Sequence, residues 1–227
     1  MSEDFIRKFV EELGTDRQPG SVVTNGWTYH PIPFDGYEDI PCHRRGTTEK
    51  RWQIIDNLVG EWKDKLVLDY GCSTGYFTFQ AAKKGATVCG VERDLAAAKV
   101  AFACLDRFAQ EYNMHVVFKK YYDESLQNQD WHVVFALAIL NWVGKENAEK
   151  FLKTLGNVGC MFLEMPLAGD GMRGADWLKT DQDTIAWVKK HSKFDRVQAI
   201  GETQGPGGKA RTLFICLTSK ETPATST

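Results

Sequence analysis

No charge of one sign dominates this 227-residue chain. Its 28 Lys and Arg stand against 30 Asp and Glu, for a formal net charge of −2. A global basic field that would draw the protein to nucleic acid or an anionic membrane is thereby excluded, although a local basic patch is not. No run reaches the roughly 18 apolar residues that suggest a membrane span. The N-terminus, MSEDFIRKFVEELG, is charged and amphipathic and lacks the apolar centre of a signal peptide. The expectation is a soluble, cytoplasmic protein without membrane partners. The six cysteines, Cys42, Cys72, Cys89, Cys104, Cys160 and Cys216, include no CxxC pair. Several lie in apolar segments, where a thiol packs as a small hydrophobe, so buried reduced thiols are favoured over zinc or a disulfide framework. There is no internal repeat, and no GxGxxG for a dinucleotide pyrophosphate.

What is present is a core. Hydrophobic residues make up 43% of the chain, enough for one α/β domain with an additional N-terminal element. Phe5, Phe9, Val10 and Leu13 mark one face of a short helix that closes near Gly14. Residues 15–46 are irregular and rich in Pro, Gly, aromatics and charge, and a loop of that length is usually functional or disordered. Trp27, Tyr29, Phe34 and Tyr37 argue against disorder. A helix is expected over Thr48–Glu61.

From there the pattern is regular. Strands are expected at Leu66–Asp69, Thr87–Val91, Val116–Lys119, His132–Leu140 and Cys160–Glu164. The helices between and after them are expected at Gly75–Lys84, Leu95–Tyr112, Lys145–Leu155 and Thr184–His191. Two late strands, Arg196–Glu202 and Thr212–Thr218, flank the GPGG turn at 205–208 and read as an antiparallel hairpin. Together these predict an α/β fold with a doubly wound, mostly parallel, seven-stranded sheet, an antiparallel C-terminal hairpin and an N-terminal cover. The expected division is 1–62 for the N-terminal helices and substrate-covering segment, 63–219 for the core, and 220–227 for a fraying tail.

The chemistry lies in VLDYGCSTGYF, Val67–Phe77. An apolar strand ends in Asp69, then enters a turn bounded by Gly71 and Gly75, then a helix. A helix that begins at a glycine turn offers free N–H groups and a partial positive charge. A carboxylate just before that turn repels a pyrophosphate but suits an ammonium group. Glu92, at the end of the next strand, is placed to accept hydrogen bonds from two ribose hydroxyls. An amino acid joined to an adenosine, with no phosphate, satisfies both acids. Asp69 has a rival role as a helix-cap acid, and Glu92 as an exposed strand-end charge.

Asp69-Tyr70-Gly71-Cys72-Ser73-Thr74-Gly75 resembles motif I of the class I S-adenosylmethionine-dependent methyltransferases. Glu92 resembles that family's ribose-binding acid, and Ala136–Trp142 its motif after the fourth strand. The resemblance runs from about Leu66 to Thr218. One departure is Ser73, where the family's broadest pattern has glycine. The resemblance implies S-adenosylmethionine as cofactor. It places the methionine moiety at Asp69 and the backbone of Gly71, Cys72, Ser73 and Gly75, with Tyr76 directed towards the cofactor. It places the ribose at Glu92 and the adenine beside Arg93, Tyr122 and Asp123, with Leu137 facing the reactive methyl. For Tyr122 core packing is an equal reading, and DESLQNQD offers other acids in place of Asp123.

The acceptor has no comparable signature, because methyl transfer depends mainly on positioning and exclusion of water. Arg44 and Arg45 are candidate ligands for a substrate carboxylate or phosphate, with Trp142 as a further substrate contact. His43 is the candidate general base, and Asn141 and Glu164 the other candidate catalytic residues. Each has a structural alternative: surface charge for the arginines, a solvated loop histidine, a loop cap for Glu164. The GDGMRG segment at 169–174 is a candidate lid. No metal site is expected. The preferred acceptor is an oxygen or nitrogen of a small molecule or sugar, with an anionic group on it as the variant that Arg44 and Arg45 suggest. An RNA methyltransferase of tRNA type is the second reading, and an inactive cofactor-binding module the third.

Overall fold

The structure is a computed structural model that describes residues 4–13, 26–170, 176–204 and 209–219. The GPGG turn, most of the GDGMRG segment, residues 15–25 and the tail at 220–227 lie outside the described residues. The chain forms two compact units, divided between Tyr121 and Tyr122. Residues 26–62 fall in the same unit as the first strands.

The first unit contains α1 (Phe5–Leu13), α2 (Arg45–Val59), β1 (Leu66–Tyr70), α3 (Tyr76–Lys83), β2 (Thr87–Val91), α4 (Leu95–Phe108) and β3 (His115–Lys119). Its strands run parallel in the order β3-β2-β1, with Leu66 opposite Thr87 and Val88 opposite Val116. In β1, Val67 and Leu68 are both fully buried, the continuous apolar run of a parallel strand covered on both faces. Asp94 caps α4 by accepting N–H bonds from Ala96 and Ala97. That helix stops at Phe108, short of Tyr112, and Asn113 adopts φ 49° in the turn that follows.

The second unit contains β4 (Trp131–Leu137), α5 (Leu140–Val143), α6 (Lys145–Thr154), β5 (Val158–Glu164), α7 (Asp181–His191), β6 (Arg196–Gln204) and β7 (Ala210–Leu217). Its order is β4-β5-β7-β6, with β4 and β5 parallel and β7 antiparallel to both of its neighbours. The hairpin expected at the sheet edge is this β6–β7 pair. The fold is α/β with a mostly parallel seven-stranded sheet.

Two boundaries differ from expectation for local reasons. The fourth strand ends at Leu137 instead of Leu140, because Ala138 turns left-handed at φ 56° and donates its N–H to the Glu164 carbonyl. The helix expected from Thr184 starts at Asp181, because Thr180 and Asp183 form a reciprocal capping box.

The irregular segment is anchored by its own backbone and aromatics. Thr28 N–H donates to the Pro41 carbonyl and His43 N–H to the Thr28 carbonyl, each at 3.0 Å, so the loop ends meet. Between them Ile32, Phe34, Tyr37 and Ile40 are buried. Phe34 stacks on Phe108 with ring centres 4.0 Å apart and also meets Phe79. Lys83 reaches over to the Pro33 carbonyl at 2.9 Å. The loop thus packs on α3 and α4 as part of their core. Phe34→Ala is expected to cost about 3–5 kcal/mol, read as a lowered midpoint of urea unfolding.

Candidate cofactor site

β1 delivers Asp69 and Tyr70 to a turn that only a special backbone can make. Gly71, Ser73 and Gly75 all have positive φ, at 83°, 54° and 87°. The turn hangs from the end of β2, since the N–H groups of Gly71 and Cys72 both donate to the Val91 carbonyl, at 2.8 and 3.1 Å. Gly75 is required twice over: its φ is left-handed, and a Cβ there would lie 2.6 Å from the Phe79 ring. At Ser73 a non-glycine residue holds a left-handed conformation, which costs on the order of 1–3 kcal/mol and marks a locally strained site. A Cβ on Gly90 would meet the Phe118 ring at 2.7 Å and Cys72 Sγ at 3.0 Å, so the strand passes tightly under the turn.

Both acids converge on this turn. The Asp69 side chain is buried and accepts a hydrogen bond from Thr78 Oγ1 at 2.6 Å. Burial pushes its pKa up from 3.8 to about 7, against the opposing pull of the Thr78 hydroxyl. Glu92 is clamped by backbone: Ser73 N–H donates to Oε2 at 2.8 Å and Asp94 N–H to Oε1 at 2.6 Å. Its pKa is also raised by burial, with those N–H bonds opposing. The hydroxyls of Ser73 and Thr74 are buried in the turn with no hydrogen-bond partner among the described residues. Tyr76 opens α3, is buried, and accepts from Gln80 at 3.2 Å. Arg93 is exposed beside Glu92. Burial raises the Cys72 thiol well above its ordinary pKa, so it serves as packing. All six cysteines are free.

Next to α3 lies a basic cluster that sequence reading recognised only in part. Arg44 and Arg51 are both buried, and their charges act on buried His30, whose pKa is held well below 6.5 first by burial and then by those two guanidinium groups. His30 accepts from or donates to Thr48 Oγ1 at 2.8 Å and lies edge-on to Phe77. Arg44 sits over the Tyr29 ring and Arg51 over the Phe77 ring. Arg45 points elsewhere, donating to the Glu38 carbonyl at 2.7 Å and approaching Glu49 at 3.9 Å. The adjacent pair therefore splits between the core and the loop. His43 is exposed and stacked on Trp27, with ring centres 5.1 Å apart.

In the second unit, Leu137 ends β4 opposite Glu164, Asn141 is buried in α5, and Trp142 is 41% exposed. Glu164 is fully buried: Thr203 Oγ1 donates to Oε2 at 2.8 Å and Arg211 Nη1 lies 3.4 Å from Oε1. Arg211 Nε also pairs with Asp170 at 2.6 Å. The arginine facing Glu164 is thus Arg211, which sequence reading did not single out. Tyr122 packs edge-on against Phe151 with ring centres 4.9 Å apart. Asp123 is exposed and accepts from the N–H and hydroxyl of Ser125, closing its own turn. Among the described residues no group of three or more His, Cys, Asp or Glu could hold a metal ion. No helix among them is long and apolar enough to cross a membrane.

Residues 67–158 match the family model described as a methyltransferase domain. The chain carries a methyltransferase domain over that stretch. Among curated proteins it is 27% identical over 115 residues to a tRNA U34 carboxymethyltransferase of Desulfotalea psychrophila, which covers 50% of this chain and 35% of that protein. Its fold is similar to that of the bifunctional kinase-methyltransferase WbdD, with TM-score 0.64, 16% identity, and coverage of 92% of this chain and 46% of that one. It is also similar to magnesium protoporphyrin IX methyltransferase from Synechocystis PCC 6803 with bound S-adenosylmethionine, with TM-score 0.57, 17% identity, and coverage of 77% and 78%. The chain spans about a third of the length of the curated relative and about half of WbdD.

The residues of this methyltransferase turn fit a phosphate-free, cationic nucleoside ligand. Asp69 is a buried acid that a cation would ionise, Glu92 is a carboxylate held in place by two N–H groups, and two buried hydroxyls lack partners. Asp69 stays protonated up to about pH 7 in the folded protein, whereas in the unfolded chain it ionises above about pH 4. Stability therefore falls as pH rises from about 4 to about 7, and the loss is complete above that. Asp69→Asn is expected to melt higher than the parent at pH 8 and with little difference near pH 4, measured by thermal unfolding across that range.

Proposed function

We propose that this protein transfers a methyl group from S-adenosylmethionine to an oxygen or nitrogen of a small molecule or sugar that carries an anionic group. The observation that carries the cofactor half is the pairing of buried Asp69 with backbone-clamped Glu92 around one strained glycine turn. When bound, the cofactor supplies a methyl group activated on a sulfonium. The protein's own residues bind and orient. Asp69, once ionised, holds the ammonium group, and Thr78 keeps one of its oxygens directed. Glu92 accepts from ribose hydroxyls with the lone pairs left over from Ser73 and Asp94.

For the acceptor, support comes from buried Arg44 and Arg51 beside Tyr29 and His30, close to the start of α3. A guanidinium already out of water binds a carboxylate or phosphate more strongly than an exposed one does. We assign that role to Arg44, with Arg51 in place of Arg45, because Arg44 and Arg51 are buried whereas Arg45 is partly exposed and directed at its own loop. Glu164 holds Thr203 and Arg211, an arrangement that favours a supporting role over contact with substrate. Asn141 and Trp142 stay acceptor candidates on the turn after β4, and exposed His43 stays the candidate base.

The tRNA-modifying relative favours a second reading, an RNA acceptor. The net charge of −2 weighs against it. RNA binding that falls steeply with salt would support the RNA reading and remove the small-molecule one.

Isothermal titration with S-adenosylhomocysteine tests the cofactor half. Glu92→Ala and Asp69→Ala are each expected to weaken binding at least about tenfold, a loss of about 1.4 kcal/mol. Affinity is also expected to rise with pH up to about 7, with proton release on binding near pH 6, because the bound ammonium favours ionised Asp69. Arg44→Ala should raise the KM for an anionic acceptor while leaving S-adenosylhomocysteine affinity unchanged. An unchanged KM would remove the anionic-acceptor assignment.

A further inference from the structure

β3 ends the strand order, and its outer edge is open. The Lys119 carbonyl accepts from Glu92 N–H on the β2 side. Successive residues of a strand direct their backbone groups to opposite edges, so Val116 and Phe118 point theirs outwards. There they make no backbone bond to any described residue. Native proteins shorten, charge or cover such an edge, because unpaired strand groups recruit another strand. Here Lys119 and Lys120 stand at one end only, and the centre of β3 is Val116-Val117-Phe118. Parallel strands are normally covered on both faces, yet Val117 is 57% exposed.

The opposite face of β3 carries a matching apolar group. Phe118 meets Phe102 of α4 edge to face, with ring centres 5.3 Å apart. Phe102 is itself 51% exposed and Leu95 61%. Leu95, Lys99, Phe102 and Asp106 recur at helical spacing and form one exposed ridge of α4. The ridge has a cation on one side of Phe102 and an anion on the other. None of these residues is assigned above to cofactor or acceptor.

A second copy of the same edge fits these features. Consider an antiparallel pair about a two-fold axis at Val117. Val116 then faces Phe118 of the second copy, and Phe118 faces its Val116; each of these pairs exchanges two N–H···O bonds. Val117 meets Val117 in the closer, non-hydrogen-bonded pair, which covers side chains that are otherwise exposed. Lys119 and His115 face each other at the two ends, outside the apolar centre. The same axis sets the two α4 ridges antiparallel, with Phe102 of one copy near Phe102 of the other and Lys99 of each towards Asp106 of the other. The edge is thus self-complementary in hydrogen bonds, apolar contact and charge. We propose that this protein forms a two-fold dimer in which β3 pairs with β3 of a second copy. The proposal does not depend on the methyl-transfer reading, and the two fail separately.

Sedimentation velocity of the full chain in low salt tests it, together with hydrogen exchange of the Val116 and Phe118 amides. The expected result is a dimer with Kd below about 50 µM, and slower exchange of both amides as protein concentration rises. Val117→Asp is expected to weaken the dimer at least about tenfold, since it sets two carboxylates face to face at the axis. Lys99→Asp should weaken it about fivefold, and Lys99→Asp with Asp106→Lys should restore it. All of these positions are exposed, and retained S-adenosylhomocysteine binding shows that each variant is folded. The proposal is overturned if the chain stays monomeric up to about 200 µM, as it would if the edge receives an extended segment of a different protein. It is also overturned if a dimer forms that Val117→Asp leaves unchanged, if the two amides exchange equally fast at all concentrations, or if the charge exchange fails to restore association.

Discussion

The arrangement of the first unit depends on one buried carboxylate at the end of a parallel strand. Asp69 is out of water and is held by a single hydroxyl, from Thr78. An acid in that position is uncomfortable alone, and its pKa near 7 expresses that discomfort. Natural cores avoid such groups unless something compensates, so the acid points to a cationic ligand. The turn beside it is built around the same requirement. Three left-handed residues let the backbone curl tightly over β2, and the curl directs the Ser73 N–H at Glu92. Strain in the turn and the orientation of the second acid are thus one device: relaxing Ser73 would release Glu92.

The irregular segment after α1 is joined to that device through packing. Phe34 and Tyr37 enter the aromatic layer over α3 and α4, and the same loop delivers Tyr29, His30 and Arg44 beside the first turn of α3. Its apolar residues secure the loop, which lets its polar residues be placed with precision. Burial of two guanidinium groups around a neutral imidazole is electrostatically costly. It is tolerated because aromatic faces and hydroxyl contacts surround them. In the second unit the Glu164, Arg211, Asp170 and Thr203 network does comparable work, tying the end of β5 to β6, β7 and the following loop.

Much of this was legible in the sequence, and for identifiable reasons. Strands β1, β2, β4 and β5 show as apolar runs because parallel strands are covered on both faces. Asp69, the glycine turn and Glu92 could be read together because their roles are set by strand ends and local backbone, and these follow from sequence spacing. Helix ends were less legible where a capping box or a left-handed residue decided them, as at Thr180 and Ala138. Thr78 was hidden as one polar residue in an apolar helix, and Arg51 as one more charge in α2. Nothing local distinguishes Arg44, which enters the core, from Arg45, which does not.

The sequence by itself determined the class of fold, the order of its elements and the nature of the cofactor. These are carried by hydrophobic period, turn chemistry and acids at fixed distances along the chain. Only the tertiary structure decided which charges are buried and what faces them: Thr78 against Asp69, Arg51 beside His30, Arg211 against Glu164. The physical reason is that burial and pairing are properties of residues far apart in sequence, here 39 positions for Glu164 and Thr203 and 47 for Glu164 and Arg211. No local pattern encodes that separation, because it arises only when strands and helices close on a common core.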